Sequence, residues 1–252
     1  HLATDDLHSS CEPCSRFYAE HVAITSTAAA ALEEATRSQQ TPTWFVARRL
    51  RLTASNVHKV PKKSTTSCEK SATSMVSPTF TGNAATRHGQ LHEPVARAQL
   101  VRDYGMTVTR CGMFVSKDFP WLSATPDGMV GQALLEIKCP NTNDCKELAK
   151  GGTYDVRHTE KDGYFIMQNG QRGFYSQVQF QLFCTGRQAC LFYVWSLNVD
   201  ILMKIPFDED YVSNRMARLH RFYFSELLPR LEELYQRGQL QITNQYKELC
   251  HL

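Results

Sequence analysis

The dipeptide Gly131-Gln132 stands between two apolar runs, Ala124-Thr125-Pro126-Asp127-Gly128-Met129-Val130 before it and Ala133-Leu134-Leu135-Glu136-Ile137-Lys138 after it. Glycine at the first central position suits a two-residue type II′ turn, because it adopts the required positive φ without a steric penalty. Such a turn sets Val130 opposite Ala133. Continuing the register outward places Asp127 opposite Glu136 and Thr125 opposite Lys138, with opposed side chains about 4.5–5.5 Å apart on one face. Leu135 and Ile137 then point to the other face, into a core.

Two carboxylates held so close raise each other's proton affinity, so a stable pair at neutral pH implies a shared proton or a cation. Oxygen ligands without His or Cys suit Mg²⁺, with Mn²⁺ as the alternative, rather than Zn²⁺. Lys138 shares the face of Glu136 and is placed to orient a metal-bound water and favour its hydroxide form. The competing reading is an ordinary hairpin in which Pro-Asp-Gly is turn punctuation and Glu136 and Lys138 form an exposed pair. Asp-x8-Glu-x-Lys by itself is short enough to arise by chance.

Further blocks change that balance. Pro-Asp, a spacer and Glu-x-Lys at the end of an apolar strand resemble the PD-(D/E)XK nuclease superfamily. Upstream stand Trp44-x3-Arg48-x3-Leu52-Thr53-Ala54-Ser55-x-Val57-His58 and Gly89-x3-Glu93-Pro94-x-Ala96; downstream stands Tyr175-Ser176-Gln177-Val178-Gln179-Phe180. In this order the blocks resemble the lambda-exonuclease-like, YqaJ-type viral recombinase nucleases from about residue 44 to 192. The resemblance implies an α/β fold with a restriction-endonuclease-like core, a mixed β-sheet flanked by helices. It makes Glu93, Asp127 and Glu136 metal-coordinating acids, with the Ile137 carbonyl a further ligand, Lys138 the catalytic lysine and Gln177 its support. Arg48, Ser55 and Thr125 fall where family members bind the phosphate of a DNA 5′ end. Thr125 stands where relatives carry Ser, and Arg49 and Arg51 compete with Arg48 for the role.

The implied activity is Mg²⁺-dependent exonuclease digestion of double-stranded DNA ends, 5′ to 3′, leaving 3′ single strands for recombination. A single-strand annealing protein is the partner such an enzyme serves, and a homotrimeric ring around DNA is the assembly the resemblance offers. An endonuclease on the same core and a non-catalytic DNA-end binding module are the alternatives; the full set of acids and the lysine argue against the second.

A chain of 252 residues fits one large α/β domain with an appendage. We divide it into a helical N-terminal extension, 1–41, and a nuclease domain, 42–252. A net charge of +3 does not by itself indicate nucleic acid, whereas local clusters do: Arg48-Arg49-Leu50-Arg51 and Lys59-x2-Lys62-Lys63. Nine cysteines, an odd count in a long chain, fit a reduced intracellular setting, nucleus and cytoplasm undistinguished, and no apolar run is long enough to span a membrane. Cys11-x2-Cys14, with His8 and His21 nearby, lacks a second Cys pair and reads as thiols rather than a zinc site. Cys184, Cys190 and Cys250 are too scattered for an iron–sulfur cluster.

Hydrophobic periodicity predicts strands at 107–115, 121–125, 133–138, 189–195 and 199–205, and helices at 25–39, 44–50, 82–103, 142–150, 173–185 and 208–237. Pro94 must kink the 82–103 helix or begin a new one, and Glu93 beside it also reads as a first-turn acid favoured by the helix dipole. Alternation at Gln177, Gln179 and Gln181 fits a strand, Tyr175, Val178 and Leu182 a helix; the resemblance selects helix. Thr53 or Ser55 suits a helix N-cap, a role compatible with phosphate binding. Residues 61–81, dense in Ser, Thr and Lys, read as a surface loop ordered by DNA. Phe222, Tyr223, Phe224, Leu227 and Leu228 read as core or subunit contact.

Overall fold

The computed structural model describes residues 11–63, 65–76 and 84–252. Helices α1 (Glu12–His21), α2 (Ser26–Ala35) and α3 (Pro42–Arg49) lead into β1 (Leu52–Thr53) and a 3-10 turn at Val57–Lys59. Next come α4 (Cys68–Val76), α5 (Ala84–Tyr104), β2 (Phe114–Val115), β3 (Leu122–Ala124), β4 (Gly128–Val130) and β5 (Ala133–Lys138). The chain continues through α6 (Cys145–Lys150), β6 (Val156–Thr159), β7 (Gly163–Ile166), α7 (Phe174–Thr185), β8 (Ala189–Trp195) and β9 (Asp200–Pro206). It ends in α8 (Glu209–Phe222), a π-turn at Tyr223–Leu227, α9 (Leu228–Gln236) and α10 (Asn244–Cys250).

The main sheet runs β4-β5-β8-β9; β5 and β8 are parallel and both outer pairs antiparallel, giving a mixed sheet. Three short strands, β1-β3-β2, form a second sheet, and β6-β7 a separate hairpin. Period-2 alternation along β5 sorts its side chains: Leu134 packs with Val178 and Leu182 of α7, while Leu135 and Ile137 pack with Ala96 and Leu100 of α5. The sheet is thus covered on both faces, as a parallel β5–β8 pair requires. Val130 pairs with Ala133 as the turn dictates, and Gly131 has φ +58°.

The observed helix α5 runs unbroken through Pro94, which neither starts a new helix nor ends the old one. The expected strand at 107–115 shrinks to β2 and a single bridge from Thr109 to Met129. Part of the expected 61–81 loop is helix α4, because Ala72 and Val76, four residues apart, bury one helical face; residues 64 and 77–83 lie outside the described residues. The expected 208–237 helix is interrupted at 223–227. Pro229, at the start of α9, lacks the N–H an uninterrupted ladder needs, and the wide π-turn precedes it. That turn leaves Phe222, Tyr223, Phe224, Leu227 and Leu228 all buried within the chain, so they are core rather than subunit contact.

The segment before residue 42 packs into the same core: Phe17, Tyr18, Val22 and Leu32 join Leu50, Trp121, Tyr223 and Tyr246. Arg51 is the staple beneath it. Its buried guanidinium donates to the carbonyls of Val22 (2.8 Å), Ala47 (3.2 Å) and Pro120 (2.8 Å) and to the Tyr246 hydroxyl (2.9 Å).

Candidate active site

Strand β5 delivers Glu136 and Lys138 to the face covered by α7. Glu136 is almost fully buried, and a buried carboxylate needs donors on both oxygens. Lys138 Nζ (2.7 Å) and Gln177 Nε2 (2.8 Å) donate to Oε1, and Gln181 Nε2 (2.7 Å) donates to Oε2. Gln177 Oε1 accepts in turn from Lys138 Nζ at 2.9 Å, closing a ring of three side chains. Gln181 was not singled out from sequence, yet it stands one helical turn beyond Gln177 and so shares its face. The Phe174 ring lies 4.9 Å from Lys138 Nζ.

Helix α7 can begin there because Gly173 takes φ +71°, and any side chain at 173 would run into the His58 ring. Gly173 has no side chain to cap the helix. Asp155 supplies the missing acceptor, receiving the backbone N–H of Phe174 (3.3 Å) and of Arg172 (3.1 Å).

Asp127 sits where β4 begins, its own N–H bonded to the Leu135 carbonyl (3.0 Å) and its Oδ2 accepting the Ile137 N–H (2.7 Å). Burial, with Glu136 and Glu93 as neighbouring charges, pushes the Asp127 carboxyl well above its usual range. For Lys138 burial opposes the charge, but Glu136 and Asp127 outweigh it and hold the ammonium's pKa above normal. Lys138 Nζ is held as a hydrogen-bond donor to both Glu136 and Gln177. Glu93 reaches Asp127 from α5, on the other side of the sheet from Glu136, and is ion-paired to Arg97 (2.8 Å). A cleft of about 580 Å³ opens on this side, lined by Gln39, Gln90, Glu93, Arg97, Arg110 and Asp127.

Asp127 is the shared neighbour of the two glutamates, yet the three acids do not converge as they stand. Among the described residues no group of three His, Cys, Asp or Glu side chains is gathered closely enough to hold a metal ion. Each acid is engaged by protein donors where it stands: Lys138, Gln177 and Gln181 on Glu136, Arg97 on Glu93 and the Ile137 N–H on Asp127. The donor chemistry still fits a hard divalent cation, since a buried carboxyl lifted by two others is what such an ion relieves. Cys11 and Cys14 hold no such group either; Cys11 Sγ accepts the Cys14 N–H (3.4 Å) at the start of α1, and all nine cysteines are free. His8 lies outside the described residues.

The second cluster is assembled around Trp44. The Arg48 guanidinium lies 4.5 Å over the Trp44 ring and donates to Ser55 Oγ (3.4 Å). Trp44 Nε1 donates to Thr125 Oγ1 (3.2 Å), and Thr53 Oγ1 is 3.0 Å from Ser55 Oγ. Arg48, Ser55 and Thr125 are thus brought together, with Trp44, one turn before Arg48 on α3, as the uniting residue. Neither Thr53 nor Ser55 caps the 3-10 turn; Asn56 occupies that position without a side-chain bond. Among the rival arginines, Arg51 is consumed by the core and Arg49 donates to the Val76 carbonyl (3.0 Å). Burial lowers the pKa of Arg48, and Arg48 in turn, after burial, lowers that of Lys59. Lys62 is lowered likewise by burial and by Arg218 and Arg215.

The family model for the YqaJ-like viral recombinase domain matches residues 43–188, more than half of the chain. The chain belongs to the YqaJ-like viral recombinase family. Its matched span holds Arg48, Ser55, Glu93, Thr125, Asp127, Glu136, Lys138, Gln177 and Gln181. Solved structures agree on the fold. An alkaline exonuclease, LHK-Exo from Laribacter hongkongensis, is 28% identical with a TM-score of 0.59, the likeness covering 79% of this chain and 97% of that one. LHK-Exo in complex with dAMP is similar at 28% identity and a TM-score of 0.58, over the same shares of each chain. No curated protein matches the chain. Among the described residues, no helix is long and apolar enough to cross a membrane.

Proposed function

We propose that this YqaJ-like chain is a metal-dependent exonuclease that degrades one strand of a DNA duplex from its 5′ end and leaves a 3′ single strand for recombination. One observation carries the reading. Thr125 of the Arg48 pocket and Asp127 of the acidic site are two residues apart in the bend that joins β3 to β4, at most about 7 Å of backbone. That is the scale of one nucleotide, so a 5′-phosphate held at Arg48, Ser55 and Thr125 sets the next phosphodiester beside the acids. The similar structures, an alkaline exonuclease alone and in complex with dAMP, support the same activity.

Glu93, Asp127 and Glu136, with the Ile137 carbonyl, would hold Mg²⁺ or Mn²⁺. When bound, the cation supplies Lewis acidity to a water and neutralises phosphate charge. Lys138 would orient the attacking water and stabilise charge as it develops at the phosphoryl oxygens. Gln177 fixes the Lys138 ammonium, Gln181 holds the far oxygen of Glu136, and Phe174 shields the ammonium from bulk water. Arg48 addresses the terminal phosphate with a planar fork, and Lys59, Lys62, Arg215 and Arg218 extend positive charge beyond it for the duplex backbone.

The test is digestion of matched duplexes, linear with 5′-phosphate, linear with 5′-hydroxyl and covalently closed, in Mg²⁺, Mn²⁺, Ca²⁺ or chelator. Rapid loss of the linear 5′-phosphorylated duplex in Mg²⁺ or Mn²⁺ alone is expected. Cleavage of closed circles would replace the reading with an endonuclease, and equal cleavage in chelator would remove the metal. A closed trimer around DNA would let a chain of net charge +3 stay on its substrate; light scattering with DNA reads that stoichiometry, and a monomer throughout would reject it. A single-strand annealing protein remains the proposed recipient of the product strand, tested by co-purification with one.

A further inference from the structure

The turn between α2 and α3 carries Gln39 at φ +52° and Gln40 at φ +50°, the two positive-φ residues other than glycine among those described. Left-handed backbone disfavours side chains with a Cβ, and two such residues in succession persist only where the surroundings hold them. What holds this turn is the wall of the catalytic cleft. Gln39 Nε2 donates both its protons, one to the Cys111 carbonyl and one to the Pro126 carbonyl, each at 3.3 Å. Cys111 Sγ also donates to the Pro126 carbonyl (3.3 Å). Two more bonds latch α2 to the same segment: Gly112 N–H to Glu33 Oε1 and Met113 N–H to Thr36 Oγ1, both 2.8 Å.

Pro126 immediately precedes Asp127, and its carbonyl belongs to the peptide whose N–H is the Asp127 amide bonded to Leu135. We infer that Gln39 is a positioning residue for Asp127: its side-chain amide, aimed by the left-handed turn, fixes the 126–127 peptide and through it the carboxylate. The inference deepens the nuclease reading and rests on it for the consequence in turnover, but the geometry it asserts stands apart from any activity. It also gives residues ahead of the matched family span a part in the site.

Two amide protons report where Asp127 is. Its own N–H bonds to Leu135, and the Ile137 N–H bonds to its Oδ2. Gln39→Gly removes the amide while adopting the left-handed φ freely, so the variant stays folded; Gln39→Glu keeps the length but presents oxygens to two carbonyls. Gln40→Gly relieves the neighbouring backbone and keeps both bonds. Hydrogen exchange at Asp127 and Ile137 in the full chain, without metal or DNA, is expected to quicken about tenfold in both Gln39 variants and not in Gln40→Gly. In Mg²⁺, kcat for a linear duplex is expected to fall about tenfold in the Gln39 variants with KM for DNA unchanged. Wild-type exchange in both Gln39 variants overturns the proposal. So does faster exchange with wild-type kcat, which reduces Gln39 to a structural contact, or an equal loss in Gln40→Gly, which assigns the effect to the turn. A wild-type protein that digests no DNA refutes the nuclease reading instead, and the exchange comparison still decides the placement of Asp127.

Discussion

Replacing Arg48 with Ala separates a phosphate receptor from a structural arginine, and the magnitudes follow from its contacts. Within the protein Arg48 has a long bond to Ser55 Oγ (3.4 Å) and the Trp44 ring at 4.5 Å; among the described residues no carboxylate pairs with it. The stacking contributes about 0.5–2 kcal/mol, offset by relief of an unpaired charge that burial already disfavours. Stability should therefore move by about 1 kcal/mol or less, a melting shift of roughly 2–4 °C for a chain of this size. On DNA the proposed contacts of the same guanidinium would be charge-assisted bonds worth about 1.5–3 kcal/mol, which is roughly a 10- to 150-fold loss in kcat/KM. That loss should fall on 5′-phosphorylated ends, with 5′-hydroxyl ends within about threefold of wild type. Digestion of the two linear duplexes, with calorimetric melting of both proteins, gives the answer. Equal losses on the two ends would make Arg48 a general backbone contact, and a collapse in melting temperature would make it structural.

Arg51→Ala should do the opposite: it removes the donor to three carbonyls and to the Tyr246 hydroxyl, which keeps only its own bond to the His21 carbonyl (2.7 Å), costing about 3–5 kcal/mol, so melting should drop by roughly 6–20 °C; a change under 3 °C contradicts the staple. Asp127→Asn keeps an acceptor for the Ile137 N–H and removes like-charge repulsion, so melting should hold or rise while turnover falls by about a thousandfold or more; appreciable cleavage by the purified variant would unseat Asp127. Gln181→Leu removes a donor to Glu136 but also its own buried, unpartnered Oε1, two effects of about 1–3 kcal/mol that oppose. Melting should barely shift while kcat falls about tenfold, and an unchanged kcat would show that the far oxygen of Glu136 needs no clamp.

Much of the site was legible because it is built on short-period elements. A hairpin register follows from one turn, and β5 was delimited at Ala133 and Lys138 because alternation, burial and the turn agree. The convergence of Arg48, Ser55 and Thr125 depends on a helix, a short strand and a loop separated by up to 77 residues in sequence, so it came from resemblance and not from spacing. Gln181 was within reach of the i, i+4 rule once 174–185 was read as helix. The β6-β7 hairpin was missed although Asp162-Gly163 marks its turn, since its strands carry Arg157, His158 and Tyr164 and lack a clean apolar face. Helix α4 was hidden by Ser and Thr, whose preference for loops is overridden by tertiary burial of Ala72 and Val76. The Glu93–Arg97 pair was within reach of the same i, i+4 rule, whereas the engagement of Glu136 and Asp127 depends on which side of the sheet each side chain leaves.

The family match stops at residue 188, one residue short of β8. Strand β8 is interior, hydrogen-bonded to β5 along Leu134–Lys138 on one side and to β9 on the other. A polypeptide excised at the matched limits would contain the acids, Lys138, its glutamines and the Arg48 pocket, though not Gln39, Arg215 or Arg218, and still be no enzyme, for β5 would become a bare edge offering its unpaired amides to other chains. It would also leave Arg51 without the Val22 carbonyl and Tyr246. In this chain the matched span therefore holds a set of tools, whereas the packed unit that carries them reaches from α1 to α10. Fragments 43–188 and 11–252 made side by side would read the difference, the first as aggregate and the second as a folded monomer or assembly; a soluble, cooperatively melting 43–188 would show that the core closes without its central strand.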